Sequence, residues 1–344
     1  MNETPIVVHG GPDADGVPVH DFSTNANACG ACPEALRALQ AADPRHYPDP
    51  AYTALSARLA AWHCVAPERI VLAASASEFI ARISIAVALR AGPGARVWLP
   101  SHAYGDYARA GRAAGLAVTG DAGAAALLWA CEPSSPLGQA EPGLARRVGA
   151  LRGGQVLVLD EAYAPLRLSG EPSLSGAALD GVWRLITPNK ALGLTGVRAA
   201  YAIAPLDASD ELLARLRLLA PSWPLGAHGV ALLHSWASPA IQDWLADSRE
   251  RLRAWKARQL DALRAEGWQT QHSDANFFVA ALAVQARDLT DSDLNRRLVR
   301  LRRLGFKLRE CASFGLPGRV RMAVVSPDVQ DALLQALRDV EAVA

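Results

Sequence analysis

Short apolar runs alternate with helical patterns between about residues 46 and 205, and this rhythm limits the possible folds more than any other feature. The runs are nearly continuous in apolar residues, which is typical of strands buried on both faces. We predict strands at 70–73, 97–99, 125–130, 156–159, 185–186 and 199–204, with helices between them such as 78–90 and 104–114. The pattern therefore predicts an α/β fold with a mostly parallel sheet, whose ligands bind at the carboxyl ends of the strands.

The rhythm stops at residues 219–226, which contain two prolines. A long amphipathic helix follows at about 239–266, and we interpret it as a spine between two domains. The remaining β-α-β-β-α pattern predicts a smaller α/β domain, with elements at 276–280, 291–304, 306–308, 319–324 and 328–342. We expect a large domain at 46–235 and a small domain made of 1–45 and 236–344.

The charge balance and the cysteines argue against several classes of protein. With 35 basic and 34 acidic side chains, the net charge of +1 does not suit a nucleic-acid binder. No apolar run reaches the roughly 18 residues of a membrane span, and the first residues do not resemble a secretion signal, so we predict a cytoplasmic protein. Five cysteines, an odd number, indicate reduced thiols. Cys29 and Cys32 lack the second pair that a zinc ribbon needs, so we predict no metal site.

Only three of the 35 basic residues are lysines, which makes each lysine informative. Lys190 lies in a glycine-containing turn between two predicted strands. A lysine amine can bind a carbonyl covalently, as in pyridoxal phosphate (PLP) enzymes, where an aspartate pairs with the pyridinium nitrogen. Taken alone, Lys190 could equally be a surface lysine. We interpret Lys256, on a charged helix face, as solvated, and Lys307, in a short strand, as a side chain that reaches along the surface to solvent.

Asp160 ends the buried strand predicted at 156–159. A carboxylate at this position is costly unless it has a partner. It could cap a helix or form a structural ion pair. A pyridinium nitrogen would also stabilise it, and the carboxylate would in turn keep the ring protonated.

The lysine turn carries the pattern Lys-x-x-Gly-Leu-x-Gly-x-Arg at 190–198, and Asp160 and Tyr163 form an Asp-x-x-Tyr pair. With these motifs the chain resembles the PLP-dependent enzymes of the class I/II aminotransferase family, which have the fold-type-I PLP transferase architecture. It is most similar to the branch that contains histidinol-phosphate aminotransferase and the threonine-phosphate decarboxylases of cobalamin biosynthesis. The resemblance covers nearly the whole chain.

This resemblance implies a role for each residue of the two motifs. Lys190 would bind PLP covalently, and Arg198 would hold the cofactor phosphate together with Thr187. Asp160 would face the pyridine nitrogen, and Tyr163 would hydrogen-bond the phenolic oxygen of the ring. We therefore predict Lys190, Asp160 and Tyr163 as the catalytic residues.

Three further segments resemble cofactor-binding segments of the family. Ser75, Ala76 and Ser77 take the place of its phosphate-binding turn, at a predicted helix N-terminus that suits an anion; an ordinary serine cap is the alternative. In the segment 100–107 we favour Tyr104 as the aromatic residue that stacks on the ring, with His102 as the rival. Tyr47 resembles the tyrosine that reaches the neighbouring subunit's cofactor phosphate, which implies a homodimer with shared active sites.

One position departs from the family pattern. Ser135 stands where the family usually has an asparagine that supports the phenolic oxygen. A serine is shorter and has no NH₂ donor, so the cofactor would be held less firmly or tuned differently. A non-catalytic PLP-binding homologue is therefore an alternative from another functional class.

The substrate is indicated by short motifs near both ends of the chain. The segments 9–11 and 21–27 resemble the threonine-phosphate decarboxylase branch more than the histidinol-phosphate branch. Arg321 would bind a substrate anion, because a guanidinium suits carboxylate or phosphate. Asn27, Arg309 and Asn276 are further candidates for the substrate pocket. We predict a threonine-phosphate decarboxylase, with histidinol-phosphate aminotransferase or a related aminotransferase as the alternative.

A nicotinamide enzyme is disfavoured, because no Gly-x-Gly-x-x-Gly follows the first strand.

Overall fold

The computed structural model of the chain describes residues 9–282 and 291–342, so the first residues, which we predict not to be a secretion signal, lie outside it. The predicted α/β fold is confirmed by alternating strands and helices. The described strands are β1 (His20–Asp21), β2 (Ile70–Ala73), β3 (Arg96–Trp98), β4 (Ala117–Thr119), β5 (Leu127–Cys131), β6 (Val156–Asp160), β7 (Trp183–Ile186), β8 (Ala200–Ile203), β9 (Trp268–Thr270), β10 (Phe277–Leu282), β11 (Phe306–Lys307), β12 (Arg309–Glu310) and β13 (Val320–Ala323). The described α-helices are α1 (Pro33–Gln40), α2 (Thr53–His63), α3 (Ala76–Ala91), α4 (Gly105–Ala113), α5 (Leu144–Gly149), α6 (Asp210–Leu218), α7 (Ala227–Trp236), α8 (Pro239–Ala265), α9 (Asp291–Arg303) and α10 (Pro327–Ala342).

The main sheet has seven strands in the order β2-β8-β7-β6-β5-β3-β4. Its neighbouring pairs are parallel except for the two that involve β8. All residues of β2, β5, β6 and β8 are buried, as their continuous apolar sequences predict. Because β6 and β7 are parallel neighbours, Asp160 at the end of β6 and Thr187 just after β7 lie at the same edge of the sheet.

The edge strand β4 is not predicted by the sequence pattern. It has only three residues, and two of them are exposed, so it carries no buried apolar run. The other strands of the main sheet lie within one or two residues of their predicted bounds.

The C-terminal part forms an antiparallel four-stranded sheet in the order β12-β13-β10-β9, while β1 and β11 pair in parallel as a separate ribbon. The single strand predicted at 306–308 is therefore wrong in detail. The chain leaves the ribbon after Lys307 and enters the four-stranded sheet at Arg309. Two-residue strands are too short for a periodicity signal, which is why the break is invisible in the sequence.

Lys256 on α8 is not solvated, so our interpretation of it is wrong. Its side chain is 8% exposed, and its ammonium donates hydrogen bonds to the backbone carbonyls of Ser273 and Ala275. Burial lowers its pKa to about 8. The helix sequence cannot show this burial, because the two acceptors come from a distant loop. Lys307 pairs with Asp13, its Nζ lying 2.8 Å from a carboxylate oxygen.

Membrane-spanning helices and metal-binding clusters are both absent from the described residues. No helix in 9–282 or 291–342 is long and apolar enough to cross a membrane. In the same ranges, no three His, Cys, Asp or Glu side chains are grouped so that they could hold a metal ion. The five cysteines are free thiols, and Cys32 is buried. The domain bounds 46–235, 1–45 and 236–344 stay a prediction.

Candidate active site

The turn that carries Lys190 is held by the N-terminal part of the chain. The Asn27 backbone N–H donates to the Lys190 carbonyl at 2.9 Å, and the Asn27 side-chain amide donates to the Ala191 carbonyl at 3.0 Å. Gly193 has φ 65°, and a Cβ there would lie less than 3.0 Å from the Gly30 carbonyl oxygen, which real Cβ atoms essentially never do. The two segments therefore fit only if residue 193 has no side chain.

Replacing Gly193 with alanine should lower the free energy of unfolding by at least about 2 kcal/mol, because alanine is strained at this φ and its Cβ would collide with backbone. Gly196 is the matched control, since a Cβ there meets nothing within 4 Å. G196A should change the free energy by no more than about 1 kcal/mol. Urea unfolding of both variants tests this, and equal values would contradict it.

Lys190 and Tyr163 meet at the edge of the sheet. The Lys190 Nζ donates to the Tyr163 hydroxyl at 3.0 Å and lies 4.3 Å from the centre of its ring. The Asn25 amide donates to the same hydroxyl at 3.4 Å. Burial would raise the pKa of Tyr163, but the charges of Lys190 and Arg321 outweigh it and lower that pKa. The pair can thus share and transfer a proton.

Asp160 is buried with two hydrogen-bond donors. The Tyr107 hydroxyl donates to one carboxylate oxygen at 2.6 Å, and the Ala162 N–H donates to the other at 2.9 Å. Burial raises the pKa of Asp160, while these hydrogen bonds and the Lys190 charge oppose the rise. Tyr107 is itself fixed by stacking on Trp129, with ring centres 4.3 Å apart and an interplanar angle of 6°.

Replacing Tyr107 with phenylalanine should move the acid limb of the pH–activity profile to higher pH. Its hydroxyl lowers the pKa of Asp160, so its loss raises that pKa, and the ionised carboxylate then needs a higher pH. We also expect kcat/KM to fall at least about tenfold, since a hydrogen bond to a charged group contributes about 1.5–3 kcal/mol. Y201F is the control, because Tyr201 also has a buried, hydrogen-bonded hydroxyl, with His63 and Trp236 as its partners. An acid limb that moves equally in both variants, or in neither, would contradict the prediction.

The predicted phosphate turn forms the N-terminus of α3. Ser75 caps the helix, its hydroxyl accepting a hydrogen bond from the Glu78 N–H at 3.1 Å. Ala76 is the first helical residue, and the Ser77 hydroxyl donates to Asp106 at 2.7 Å. The capping alternative therefore describes what Ser75 does in this structure, and the same N-terminus can still receive an anion.

Tyr104 and His102, the two candidates for the ring-stacking residue, have different surroundings. Tyr104 caps α4 and makes an edge contact with Tyr107, ring centres 5.6 Å apart, so it stands beside the residue that holds Asp160. His102 turns away, and its Nδ1 lies 2.7 Å from the Phe314 carbonyl oxygen. The position of Tyr104 suits a ring-stacking residue, whereas His102 is engaged elsewhere.

Arg321 and Ser135 are in contact. An Arg321 Nη donates to the Ser135 hydroxyl at 3.0 Å, and the other Nη donates to the Ser23 carbonyl at 2.8 Å. Sequence reasoning placed Ser135 beside the phenolic oxygen of the cofactor, but in this structure its hydroxyl accepts from the predicted substrate arginine. A serine hydroxyl can still donate its own hydrogen to a second group.

The remaining predicted residues are two substrate candidates, Arg309 and Asn276, and two phosphate candidates, Thr187 and Arg198. Arg309 pairs opposite Arg321 on neighbouring strands, and the Asn276 amide donates to the carbonyls of Asn25 and Ala26 at 3.1 and 3.2 Å. Thr187 is buried. Arg198 is exposed, and its side chain forms no ion pair or hydrogen bond with any other described residue.

Tyr47 lies apart from this cluster. It is 77% exposed, stacks on Trp223 with ring centres 4.4 Å apart, and lines a surface groove of about 490 Å³. No contact within the described ranges joins it to Lys190.

Buried polar atoms around Lys190 fit a polar ligand such as PLP. Asn25 Oδ1, Asn276 Oδ1 and Arg321 Nε are buried, and none has a hydrogen-bond partner within residues 9–282 and 291–342. Such atoms are costly unless a ligand or water satisfies them. Together with Asp160 for a ring nitrogen, Tyr163 for a phenolic oxygen and the α3 N-terminus for a phosphate, they form a site that suits this cofactor.

Sequence reasoning missed Asn25 and Tyr107. Asn25 has φ 62°, a left-handed conformation that asparagine tolerates better than most residues, but one sequence gives no sign of it. Tyr107 follows Tyr104 by three residues, so the two share a helix face, and that spacing is the signal that could have found it.

Comparisons with known proteins identify the family to which this chain belongs. The sequence model of the family described as aminotransferase class I and II matches residues 17–337. A histidinol-phosphate aminotransferase from Ruegeria pomeroyi is 29% identical over 94% of this chain and 92% of its own length. One from Jannaschia sp. is 28% identical over 92% of this chain and 89% of its own length.

Solved structures share the fold. The histidinol-phosphate aminotransferase from Sinorhizobium meliloti, in complex with pyridoxal-5'-phosphate, superimposes with a TM-score of 0.83 at 21% identity, covering 100% of this chain and 99% of that one. The L-threonine-O-3-phosphate decarboxylase from Porphyromonas gingivalis has a TM-score of 0.75 at 20% identity, covering 94% of this chain and 100% of that one.

Proposed function

Because the chain belongs to the aminotransferase class I and II family and is therefore a PLP-dependent enzyme, we propose that it decarboxylates a small phosphorylated amino acid, threonine O-phosphate. The observation that carries this proposal is the pair Arg309 and Arg321. They are register partners on β12 and β13, each is 5% exposed, and both guanidinium groups lie over the Phe314 ring, at 4.9 and 5.6 Å.

Two like charges placed opposite each other and buried are unfavourable for folding. Burial and the Arg321 charge lower the pKa of Arg309, which expresses the same cost. Two anionic groups of one substrate could each pair with one of these guanidinium groups. Threonine O-phosphate offers two anionic groups, a carboxylate and a phosphate, whereas histidinol phosphate offers only the phosphate.

The residues of the site divide the work of the reaction. When bound, PLP supplies the electron sink for cleavage of whichever substrate bond stands perpendicular to its ring. Lys190, beside the Tyr163 hydroxyl, can take and return a proton. Asp160, oriented by Tyr107 and the Ala162 N–H, provides the carboxylate for the ring nitrogen. The two arginines would orient the substrate. A carboxylate held perpendicular to the cofactor ring would leave as carbon dioxide, whereas an α-hydrogen held there would be taken up by Lys190, as transamination requires.

Histidinol-phosphate transamination is the second candidate function. It is favoured by the curated relatives at 28–29% identity, which bear that name. The same arginine pair would also suit a dicarboxylate amino acceptor, so the geometry serves both reactions. A non-catalytic homologue, suggested by Ser135, would bind PLP without turnover.

We also propose a homodimer with shared active sites and a cytoplasmic location. The exposed Tyr47 and the groove beside it would then lie at the subunit interface. Sedimentation of the wild type and of Y47A, with PLP affinity measured in parallel, tests the dimer. A monomer with undiminished PLP affinity would contradict it.

A paired assay of the PLP-loaded enzyme tests the reaction. With threonine O-phosphate we expect carbon dioxide, and with histidinol phosphate plus 2-oxoglutarate we expect little glutamate. Threonine without its phosphate is the control, and its kcat/KM should be at least about 30-fold lower, because a charged hydrogen-bonded contact contributes about 2–5 kcal/mol. Glutamate without carbon dioxide would select the aminotransferase. A PLP absorbance band without either product would select the non-catalytic homologue.

A further inference from the structure

His102 forms a hydrogen bond that connects two sheets, and this bond has no role in the reaction proposed above. His102 lies in the loop between β3, a strand of the main sheet, and helix α4. Its Nδ1 is 2.7 Å from the carbonyl oxygen of Phe314, which follows β12 of the four-stranded sheet. A carbonyl oxygen can only accept, so Nδ1 must carry the hydrogen. That hydrogen is present in one neutral tautomer and in the protonated ring, so the bond does not depend on the charge of the imidazole.

Phe314 is the residue on which both substrate-binding arginines rest. Its ring is buried in a small apolar cluster with Val279 and Cys311, against which Leu137 and Leu316 pack. The guanidinium groups of Arg309 and Arg321 lie over the same ring. A shift of Phe314 would therefore displace the ring that both guanidinium groups contact.

Three further hydrogen bonds of this turn are local. Phe314 N–H donates to the Cys311 carbonyl at 2.9 Å, and Gly315 N–H donates to the Ala312 carbonyl at 2.8 Å. An Arg309 Nη donates to the Ser313 hydroxyl at 2.7 Å. These bonds shape the turn without fixing it to the main sheet, whereas the His102 bond spans 212 residues of sequence.

The segment that carries His102 also leads into the ring-binding side of the site. Tyr104 follows two residues later, and Tyr107 on the next helical turn donates to Asp160. A contact at His102 thus links the side of the site that would hold the cofactor ring to the side that would hold the substrate anions.

We propose that His102 is a positioning residue that fastens the turn Ala312–Phe314 to the main sheet and so fixes Arg309 and Arg321 for substrate binding. This inference rests on the proposed role of the two arginines in holding the substrate's anionic groups. It predicts that His102 acts on substrate affinity and not on cofactor affinity.

Three substitutions at one position separate the hydrogen bond from the bulk of the ring. Asparagine can place an amide N–H close to the position of Nδ1, whereas glutamine reaches further, towards the position of Nε2, and leucine has no donor. H102Q and H102L should raise the KM for the phosphorylated substrate about 3- to 10-fold, the loss of one hydrogen bond of about 0.5–1.5 kcal/mol. H102N should stay within about twofold of the wild type, and PLP affinity should stay within about twofold in all three variants.

Amide hydrogen exchange of the PLP-loaded enzyme gives a readout that needs no substrate. The amides of residues 314–316 should exchange faster in H102Q and H102L than in the wild type, and H102N should restore the slow rate. Unchanged exchange, or H102N behaving like H102L, would overturn the proposal. So would a fall in PLP affinity that matches the rise in KM, because His102 would then belong to the cofactor site.

Failure of the proposed function can be told apart from failure of this inference. Inorganic phosphate, titrated calorimetrically into the wild type and R321Q, reports on the anion site alone. If the wild type binds no phosphate and turns over neither substrate, the arginine pair has no such role and the substrate-positioning claim falls with it. If phosphate binds but the His102 variants bind it as well as the wild type does, the function stands and the inference about His102 fails.

Discussion

Replacing Lys190 with alanine should lower kcat by about 10⁴-fold or more, because the variant loses both the amine that attaches PLP and the group that moves the substrate proton. The variant should fold, since the Lys190 turn is held by its backbone: the Asn27 N–H bonds the Lys190 carbonyl, and the Lys190 N–H bonds the Asn189 side chain. Steady-state kinetics at saturating PLP, with circular dichroism as the check on folding, would measure this.

The three lysines of the chain provide an internal control. Borohydride reduction of the PLP-loaded enzyme, followed by peptide mapping, should mark Lys190 and leave Lys256 and Lys307 unmarked. The Lys256 ammonium is buried between two carbonyl oxygens, and Lys307 pairs with Asp13. A label on either of these residues, or activity in K190A within tenfold of the wild type, would contradict the assignment.

Replacing Arg321 with glutamine should lower kcat/KM for the phosphorylated substrate by about 30-fold or more, because removing one partner of a buried, hydrogen-bonded charge pair costs about 2–5 kcal/mol. The effect should lie mainly in KM, and PLP affinity should change little. A lysine at this position should recover only part of the loss, since it cannot bond Ser135, the Ser23 carbonyl and an anion in the same geometry.

R264Q is the control for the loss of an arginine in general. Arg264 forms an exposed ion pair with Asp261 on α8, and such pairs contribute at most about 1 kcal/mol. Its kinetics should stay within about twofold of the wild type. If R321Q also stays within twofold while R309Q does not, the substrate anion is bound by Arg309 and the role of Arg321 is wrong.

The fold was predictable because its signals are local. Buried strands of the main sheet read as continuous apolar runs, and Val156–Asp160 shows both the run and the carboxylate that ends it. The turn with Lys190 was visible for a similar reason, because a rare lysine and a glycine stand close together in sequence. The two-residue strands β11 and β12 were not separable, because their partners β1 and β13 are chosen by tertiary contacts.

The partners of the site residues were much less predictable than the residues themselves. Ser135 is predicted beside the cofactor, but the sequence gives no sign that its hydroxyl accepts a hydrogen bond from Arg321, which is 186 residues away. Lys256 is predicted to be solvated, but its ammonium donates hydrogen bonds to two backbone carbonyls of a separate loop. Nothing in one sequence encodes such pairings locally, because they depend on where separate segments meet in three dimensions.

The Lys190 turn closes against a segment that is synthesised more than 150 residues earlier, and Asn276 ties that same segment from the other side. A chain still emerging from the ribosome thus lacks a finished pocket until Asn276 and Arg321 have been released. Contacts of such long sequence separation form late, because a large loop must close first. The cofactor site is consequently complete only after synthesis has passed Arg321, and we expect PLP to bind after translation of the site residues and not during it.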